Sequence, residues 1–183
     1  MKSDEGNRAV EEYRSYLLLL ARMQLDTSRQ SKLETSDIVQ QTLLEAHAKR
    51  EQFAGDDDAF SAWLRAALAN NIRDALRHMG RQKRDWNRDQ SLDQALEQSS
   101  ARLALVANQE SPSGIAVRNE ELLKLSDALL SLPDAQREAI VLHHLQSWTL
   151  TELAAHLKRT DAAVAGLLHR GLRRLRVLMD SAH

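Results

Sequence analysis

A predicted helix over residues 62–85 carries aromatic, amide and guanidinium groups on one face. At about 100° per residue, its apolar residues share the opposite face and predict the buried side: Leu64, Leu68, Ile72, Ala75, Leu76 and Met79. The other face carries Trp63, Asn70, Arg73, Arg77 and Arg81. An aromatic plane beside such donors can stack an unpaired nucleobase and bind the adjacent phosphates. The alternative is that Trp63 only covers the loop "FAGDDDAF" at the start of the helix.

The charge of the chain is concentrated in two basic stretches. The net charge is only −1, yet residues 61–88 contain seven basic and two acidic side chains, and residues 158–183 contain six and two. Two basic helical stretches in an otherwise acidic chain are typical of two separate contacts with a polyanion. The alternative is a pair of solvated basic faces that neutralise acidic neighbours.

A helix-turn-helix is predicted near the C-terminus. Thr149 and Glu152 have the spacing of a capping box that opens a short helix, residues 158–160 form a tight turn, and Thr160 caps a longer basic helix. The outward face of that second helix carries Ala162, Ala163, Gly166, His169, Arg170 and Arg173. Its small residues predict few contacts to base edges, whereas its arginines can reach phosphates. A helical protein-interaction module has the same spacing and is the alternative.

The composition predicts an all-α protein. Only two prolines and six glycines interrupt a chain that is 43% hydrophobic and 28% charged, which favours helix nearly throughout. The absence of cysteine excludes disulfides and thiolate zinc sites. The sequence has no apolar run of membrane-span length and no signal peptide, which predicts a cytoplasmic protein. No metal, cofactor or catalytic motif is present, so we expect neither a cofactor nor an enzyme.

Three segments are predicted from these patterns. Residues 10–88 form a helical N-terminal domain. Residues 89–118 form a flexible linker, in which "SLDQALEQSSARL" can form a loose helix and "NQESPSG" is typical of a linker. Residues 119–181 form a second small helical domain that contains the helix-turn-helix. The buried stripe of the helix near residue 40 is expected to consist of Ile38, Val39, Thr42, Leu43 and Ala46.

Three stretches resemble a known family. "SDIVQQTLLEAH", "FSAWLRAALANNIRDALRHMGRQKR" and "LPDAQREAIVLHHLQSWTLTELAAHLKRTDAAVAGLLHRGLRRLR" are similar, in order, to the second and fourth conserved regions of bacterial RNA polymerase sigma factors. The short two-domain layout resembles the extracytoplasmic-function (ECF) subfamily. The resemblance implies a factor that directs core RNA polymerase to promoters and initiates DNA-templated transcription. Its implied partners are the polymerase β and β′ subunits and promoter DNA, and an anti-sigma factor is a further candidate.

The resemblance also implies roles for individual residues. Docking on the clamp coiled coil of the β′ subunit falls to Asp37, Gln40, Gln41, Leu44 and Glu45. Capture of the melted minus-ten element falls to the loop from Phe53 to Phe60 and to Phe60, Trp63, Asn70, Arg73, Arg77, Arg81, Lys83 and Arg84. Binding of the minus-thirty-five element falls to Thr160, Ala162, Ala163, Gly166, His169, Arg170, Arg173 and Arg174. The C-terminal domain would also bind the β flap, and the acidic linker would follow the RNA path of the polymerase.

The sequence departs from the family pattern in two places. The family commonly has glycine in the turn where this chain has Lys158, which predicts a left-handed backbone at a cost of roughly 1–2 kcal/mol. It commonly has basic or polar residues where Ala165, Gly166 and Leu167 stand, which weakens the expected readout of the minus-thirty-five element. Two other classes fit less well. A response regulator that binds operators without polymerase needs an N-terminal α/β receiver, and a helical hydrolase needs clustered carboxylates.

Overall fold

The computed structural model describes residues 10–25, 35–50, 53, 55–78, 86–107 and 115–181. For residues 86–91, 106–107 and 115–118 it describes the backbone only. The α-helices are α1 (Arg14–Gln24), α2 (Thr35–Arg50), α3 (Asp57–His78), α4 (Trp86–Ala107), α5 (Ile115–Leu130), α6 (Asp134–Ile140), α7 (Leu150–Leu157) and α8 (Asp161–Asp180), and a π-helical turn, Val141–Leu145, follows α6. These ranges contain no β-strand, and the all-α prediction is confirmed. No helix within them is long and apolar enough to cross a bilayer.

The chain divides into two compact units, Met1–Leu123 and Lys124–His183. In the first unit, α1 to α4 pack around side chains that are at most 2% exposed, among them Tyr16, Leu17, Leu20, Leu43, Phe60, Leu64, Leu68, Ile72, Leu96 and Leu103. All five residues of the predicted α2 stripe are buried. The predicted face of α3 is buried at Leu64, Leu68 and Ile72 and half-buried at Ala75 and Leu76, while Met79 lies outside the described residues.

The linker predicted over residues 89–118 is wrong for residues 89–107, which belong to helix α4. Leu96 and Leu103 are 1% and 0% exposed, because their seven-residue spacing places both on the face that packs against α1 and α3. Hydrogen bonds to α1 satisfy the buried polar groups beside them: the Tyr16 hydroxyl donates to Ser100 Oγ at 2.8 Å, and Gln24 Nε2 donates to Ser99 Oγ at 3.0 Å. Helix α4 is therefore part of the N-terminal core.

The N-terminal unit also extends past residue 118 into α5. The Asn119 amide donates to the Tyr13 hydroxyl at 2.6 Å, and Asn119 is buried. Burial raises the pKa of Tyr13 to about 12, so the phenol stays neutral as a hydrogen-bond partner. The predicted domain start at residue 119 thus falls inside α5, and the division between the compact units lies after Leu123.

In the second unit, α8 packs on α6 along a face centred on Gly171. A Cβ placed on Gly171 would lie 2.8 Å from Ile140 Cδ1, so the missing side chain permits the close approach of the two helices. Val164, Leu168 and Leu175 are buried, whereas Leu172 is 40% exposed. Because the contact face is centred on Gly171, Leu172 lies at its edge.

The predicted helix-turn-helix is formed by α7, the turn at residues 158–160 and α8. Thr149 and Glu152 make the reciprocal capping box at the start of α7. Lys158 has φ 52° and ψ 46°, the left-handed conformation predicted for it, and the Thr160 hydroxyl accepts a hydrogen bond from the Ala163 N–H at 3.2 Å. Ala154 is buried, as expected of a small residue that lets the two helices approach.

Candidate nucleic-acid interface

The indole of Trp63 lies partly exposed on α3 and rests on an aromatic cluster. Its ring is stacked on Phe60, with 6.1 Å between centroids and 14° between planes. Lys49, at the end of α2, places its ammonium group 5.5 Å from the Trp63 ring centroid. The arrangement gives a half-buried indole with Phe60 stacked on it and a cation over its ring. An aromatic group of this kind can take part in stacking and cation–π contacts.

Phe60 was assigned to the DNA-binding set by the resemblance, and this assignment is wrong. Its side chain is only 1% exposed, so it cannot contact a base. It lies in the core because the rings of Tyr13 and Phe53 pack edge-on against it, at 5.5 and 5.3 Å. Phe60 therefore supports Trp63 from below. Asp56, in the same loop, accepts a hydrogen bond from the Ala59 N–H at 2.9 Å and so helps to start α3.

Asn70 and Arg73 lie on the same helix but are already engaged with other protein groups. Arg73 Nη1 donates to Asn70 Oδ1 at 2.8 Å, and Arg73 Nη2 donates to Asp93 Oδ2 of α4 at 2.6 Å. Arg77 is exposed and pairs with Asp74 at 2.7 Å. The structure thus brings Asn70 and Arg73 together but gives Arg73 a carboxylate partner that the sequence analysis missed. Arg81, Lys83 and Arg84 lie outside the described residues.

Asp93 is not among the residues predicted for this site, because it lies in the segment predicted as a linker. A signal was present, since Asp93 and Glu97 are spaced i, i+4 and flank Leu96. Glu97 binds Arg65 of α3 with contacts of 2.9 and 3.2 Å. Lys49 is not among the predicted residues either, because its approach to Trp63 joins two different helices, α2 and α3.

The second candidate surface is the outer face of α2. Asp37, Gln40 and Gln41 are exposed, Glu45 is half-buried, and Leu44 is 56% exposed at the centre of the group. Gln41 Nε2 donates to Glu45 Oε1 at 3.1 Å. A large apolar side chain exposed among polar ones fits a protein contact, because its burial there would be favourable and the surrounding amides could pair.

The third candidate surface is the outer face of the helix-turn-helix. Six of the eight residues assigned to it are exposed, and Ala163 and Gly166 are half-buried: Thr160, Ala162, Ala163, Gly166, His169, Arg170, Arg173 and Arg174. The cap made by Thr160 leaves its side chain at the solvent side of the turn. Small residues therefore line the N-terminal part of the face, and cationic residues line the part that follows.

A cluster of histidine and tryptophan side chains packs the segment before α7 against α7 itself. His143 Nδ1 lies 2.7 Å from the Trp148 carbonyl oxygen, which can only accept, so this nitrogen carries the proton. The Trp148 ring packs edge-on against His156, and His156 Nε2 lies 2.9 Å from Glu138 Oε1. Burial and the neighbouring His143 lower the pKa of His144.

In the part of the chain that the structure describes, no group of three or more His, Cys, Asp or Glu residues could hold a metal ion.

The capping box gives a pH-dependent prediction. Hydrogen bonds from the Thr149 backbone and hydroxyl lower the pKa of Glu152 below its ordinary value. A carboxyl group whose pKa is lowered on folding contributes stability above its unfolded pKa and loses it as pH falls through the folded value. We expect Glu152→Gln to destabilise the full chain at neutral pH and to make no difference at strongly acidic pH, by urea unfolding followed by circular dichroism. The exposed Glu12→Gln is the control, and a Glu152→Gln effect that persists at acidic pH would contradict the charged cap.

Comparison with known proteins identifies the two units. The family model "Sigma-70 region 2" matches residues 9–82, and the model "Sigma-70, region 4" matches residues 122–175. The chain is similar to the ECF RNA polymerase sigma factor SigD of Mycobacterium tuberculosis, with 25% identity over 167 residues that cover 91% of this chain and 73% of SigD. It is also similar to the RNA polymerase sigma factor CarQ of Myxococcus xanthus, with 31% identity over 143 residues, 78% of this chain and 73% of CarQ.

The two family models match the helical unit and the helix-turn-helix unit in that order. This combination is the one found in factors that initiate bacterial transcription. The chain belongs to the sigma-70 family of RNA polymerase sigma factors, in its ECF group. Members of this family bind core RNA polymerase and promoter DNA, and sigma factors in general are not enzymes. The alternative of a regulator that binds operators without polymerase is not favoured by these matches.

Proposed function

We propose that this sigma factor divides its work among the three surfaces described above. The outer face of α2 docks on the β′ subunit of core polymerase. Trp63, with Asn70, Arg77 and the basic residues that follow, captures the melted minus-ten element, and the outer face of the helix-turn-helix binds the minus-thirty-five element while its unit contacts the β flap. The factor acts in the cytoplasm by binding alone, without a catalytic step or a cofactor. An anti-sigma factor that covers these surfaces would regulate it.

The observation that carries the proposal is the indole of Trp63, which is supported by the buried Phe60 and flanked by Lys49. The indole keeps part of its surface exposed on the face of α3 that also carries Asn70 and Arg77, so a planar ligand can reach it there. Stacking of a base contributes about 1–3 kcal/mol, and it requires a base that has left the duplex. The surface therefore fits a melted promoter strand better than duplex DNA.

The helix-turn-helix is proposed to hold the promoter mainly by its phosphates. Ala162 and Gly166 offer no side-chain hydrogen bonds to base edges, whereas Arg170 and Arg173 are exposed and can reach the backbone. Phosphate contacts give affinity that falls as salt rises, with little sequence discrimination. Discrimination between promoters would then depend more on the minus-ten surface.

The proposal predicts weak promoter binding by the chain alone. Promoters are first defined by mapping the transcript 5′ ends made by core polymerase with this chain on genomic DNA. We expect the chain alone to bind such a duplex no better than about micromolar, the range of non-specific contacts, and the holoenzyme to bind it at about 10 nM or tighter. Titration of labelled promoter duplex measures both affinities. Tight, sequence-specific duplex binding without polymerase would contradict the proposal and support the operator-binding alternative.

A further inference from the structure

The guanidinium of Arg73 is mostly buried, and the carboxylate that binds it, that of Asp93, is exposed to solvent. Its guanidinium is fixed by Asn70 at 2.8 Å and by Asp93 at 2.6 Å. The Arg73 side chain is only 12% exposed, whereas that of Asp93 is 57% exposed. The Arg73 guanidinium therefore lies against the body of the unit, and the Asp93 carboxylate covers it from the solvent side.

Arg65 and Glu97 form a second pair of the same kind between the same helices. The Arg65 side chain is 14% exposed and that of Glu97 is 67% exposed, with 2.9 Å between the closest charged atoms. Arg65 Nη1 also donates to the Tyr16 hydroxyl at 3.3 Å, so it is tied to the core of the unit. The two pairs therefore match in charge, geometry and exposure.

The two carboxylates differ in how firmly their part of α4 is attached. Among the described side chains of α4, residues 92–105, burial begins at Leu96 and continues at Ser99, Ser100 and Leu103. Glu97 lies within this anchored segment, whereas Asp93 precedes it. Motion of the helix around Asp93 would break the pair with Arg73 and the long, 3.4 Å hydrogen bond from Gln24 Nε2 to the Ala95 carbonyl, and it would leave the buried residues in place. Release of Glu97 would expose them.

We propose that Asp93 occupies the position of a DNA phosphate at Arg73, and that the part of α4 before Leu96 withdraws when single-stranded DNA binds beside Trp63. This inference rests on the proposed function, because it assigns Arg73 to the same strand-binding surface. A guanidinium donates the same N–H groups to a carboxylate as to a phosphate, so the two anions compete for one site. Asp93 would then lower the affinity of the free factor for DNA.

The first test uses a matched pair of variants in the full-length chain. Asp93→Asn should tighten the binding of fluorescein-labelled oligothymidylate by about 2- to 5-fold, the range of one exposed ion pair. Glu97→Gln removes the same charge and the same kind of pair from the same helix, and it should change affinity clearly less. Equal tightening by the two variants would mean a general charge effect and would overturn the proposal.

A double-mutant cycle tests whether Arg73 carries the effect. In an Arg73→Ala background, Asp93→Asn should no longer tighten binding, because the site for which the two anions compete is gone. Persistent tightening there would overturn the proposal. Circular dichroism of each variant confirms that the helical content is retained.

Hydrogen exchange supplies a readout that does not depend on affinity. On addition of oligothymidylate, exchange should increase at the amides of residues 92–95 and stay slow at residues 99–103. Unchanged exchange at residues 92–95 in the saturated complex would overturn the inference. If Trp63→Ala weakens binding but Asp93→Asn does not tighten it and Arg73→Ala does not weaken it, this inference alone fails. If Trp63→Ala and Arg77→Ala leave binding unchanged as well, the proposed strand-binding surface fails with it.

Discussion

Replacing Gln40, Gln41 and Leu44 together with alanine should abolish assembly with core RNA polymerase and leave the helical content unchanged. All three side chains lie on the exposed face of α2, and Leu44 is 56% exposed in the free chain. The substitutions remove the surface hydrogen bond between Gln41 and Glu45 and leave the buried residues of α2 in place. A buried anchor of an interface is worth about 2 kcal/mol or more, so we expect the dissociation constant to rise at least about 30-fold. Co-purification and titration of labelled core polymerase measure the loss.

Helix α4 supplies a control of the same composition. Gln94, Gln98 and Leu105 share one exposed face of that helix, and Leu105 is 72% exposed. Their simultaneous replacement with alanine removes two amides and one exposed leucine, as the α2 variant does. The control should retain polymerase binding. Normal holoenzyme formation by the α2 variant, or an equal loss in the α4 control, would contradict the assignment of the α2 face.

The helices with a strong local pattern could be predicted from the sequence. The α2 stripe and the helix-turn-helix depend on residues close in the chain: a heptad-like apolar spacing, the Thr149–Glu152 capping box, and a turn whose left-handed residue is Lys158. Such features are determined by backbone geometry and caps within a few residues. Their positions are therefore readable without knowledge of the tertiary structure.

Helix α4 could not be placed in this way, because its packing depends on distant residues. Its two deeply buried leucines are separated by polar residues, and the buried Ser99 and Ser100 are tolerated only because Gln24 and Tyr16 of α1 bond to them. Periodicity within the segment is too sparse to show this. The same long-range packing pairs Asp93 with Arg73, which is why the candidate site gained a carboxylate that the sequence did not indicate.

The aromatic residues of the site show the same limit. The face of α3 that carries Trp63 was predicted from helical spacing, but spacing alone does not distinguish a contact residue from its support. Phe60 is buried because Tyr13 and Phe53, from other parts of the chain, enclose its ring. The exposed member of the pair is therefore Trp63, and the variants that test the site must change the indole and leave Phe60 in place.

Trp63→Ala should permit holoenzyme assembly but slow the formation of the open complex. Loss of one stacking surface withdraws about 1–3 kcal/mol from the melted state, which corresponds to a rate lower by roughly 5- to 150-fold. On a promoter already mismatched across the minus-ten element, the variant should regain part of the lost rate. The bases there are unpaired from the start, so binding to the protein no longer has to offset the few kcal/mol that unpairing costs. Trp63→Phe, which keeps a ring on Phe60, should show a smaller defect. Permanganate reactivity of unpaired thymines and abortive transcription follow the rate.

Arg173→Ala should show a different defect from Trp63→Ala, because Arg173 is an exposed residue of the helix-turn-helix. It should weaken the initial complex with duplex promoter, reduce the salt slope through loss of a phosphate contact, and gain nothing from a pre-melted template. Thermal unfolding of Trp63→Ala measures the packing contribution of the half-buried indole separately from its effect on DNA. If Trp63→Ala is equally defective on duplex and pre-melted templates, the indole acts only as a cover for the core, and the cations around it must hold the strand without a stacked base.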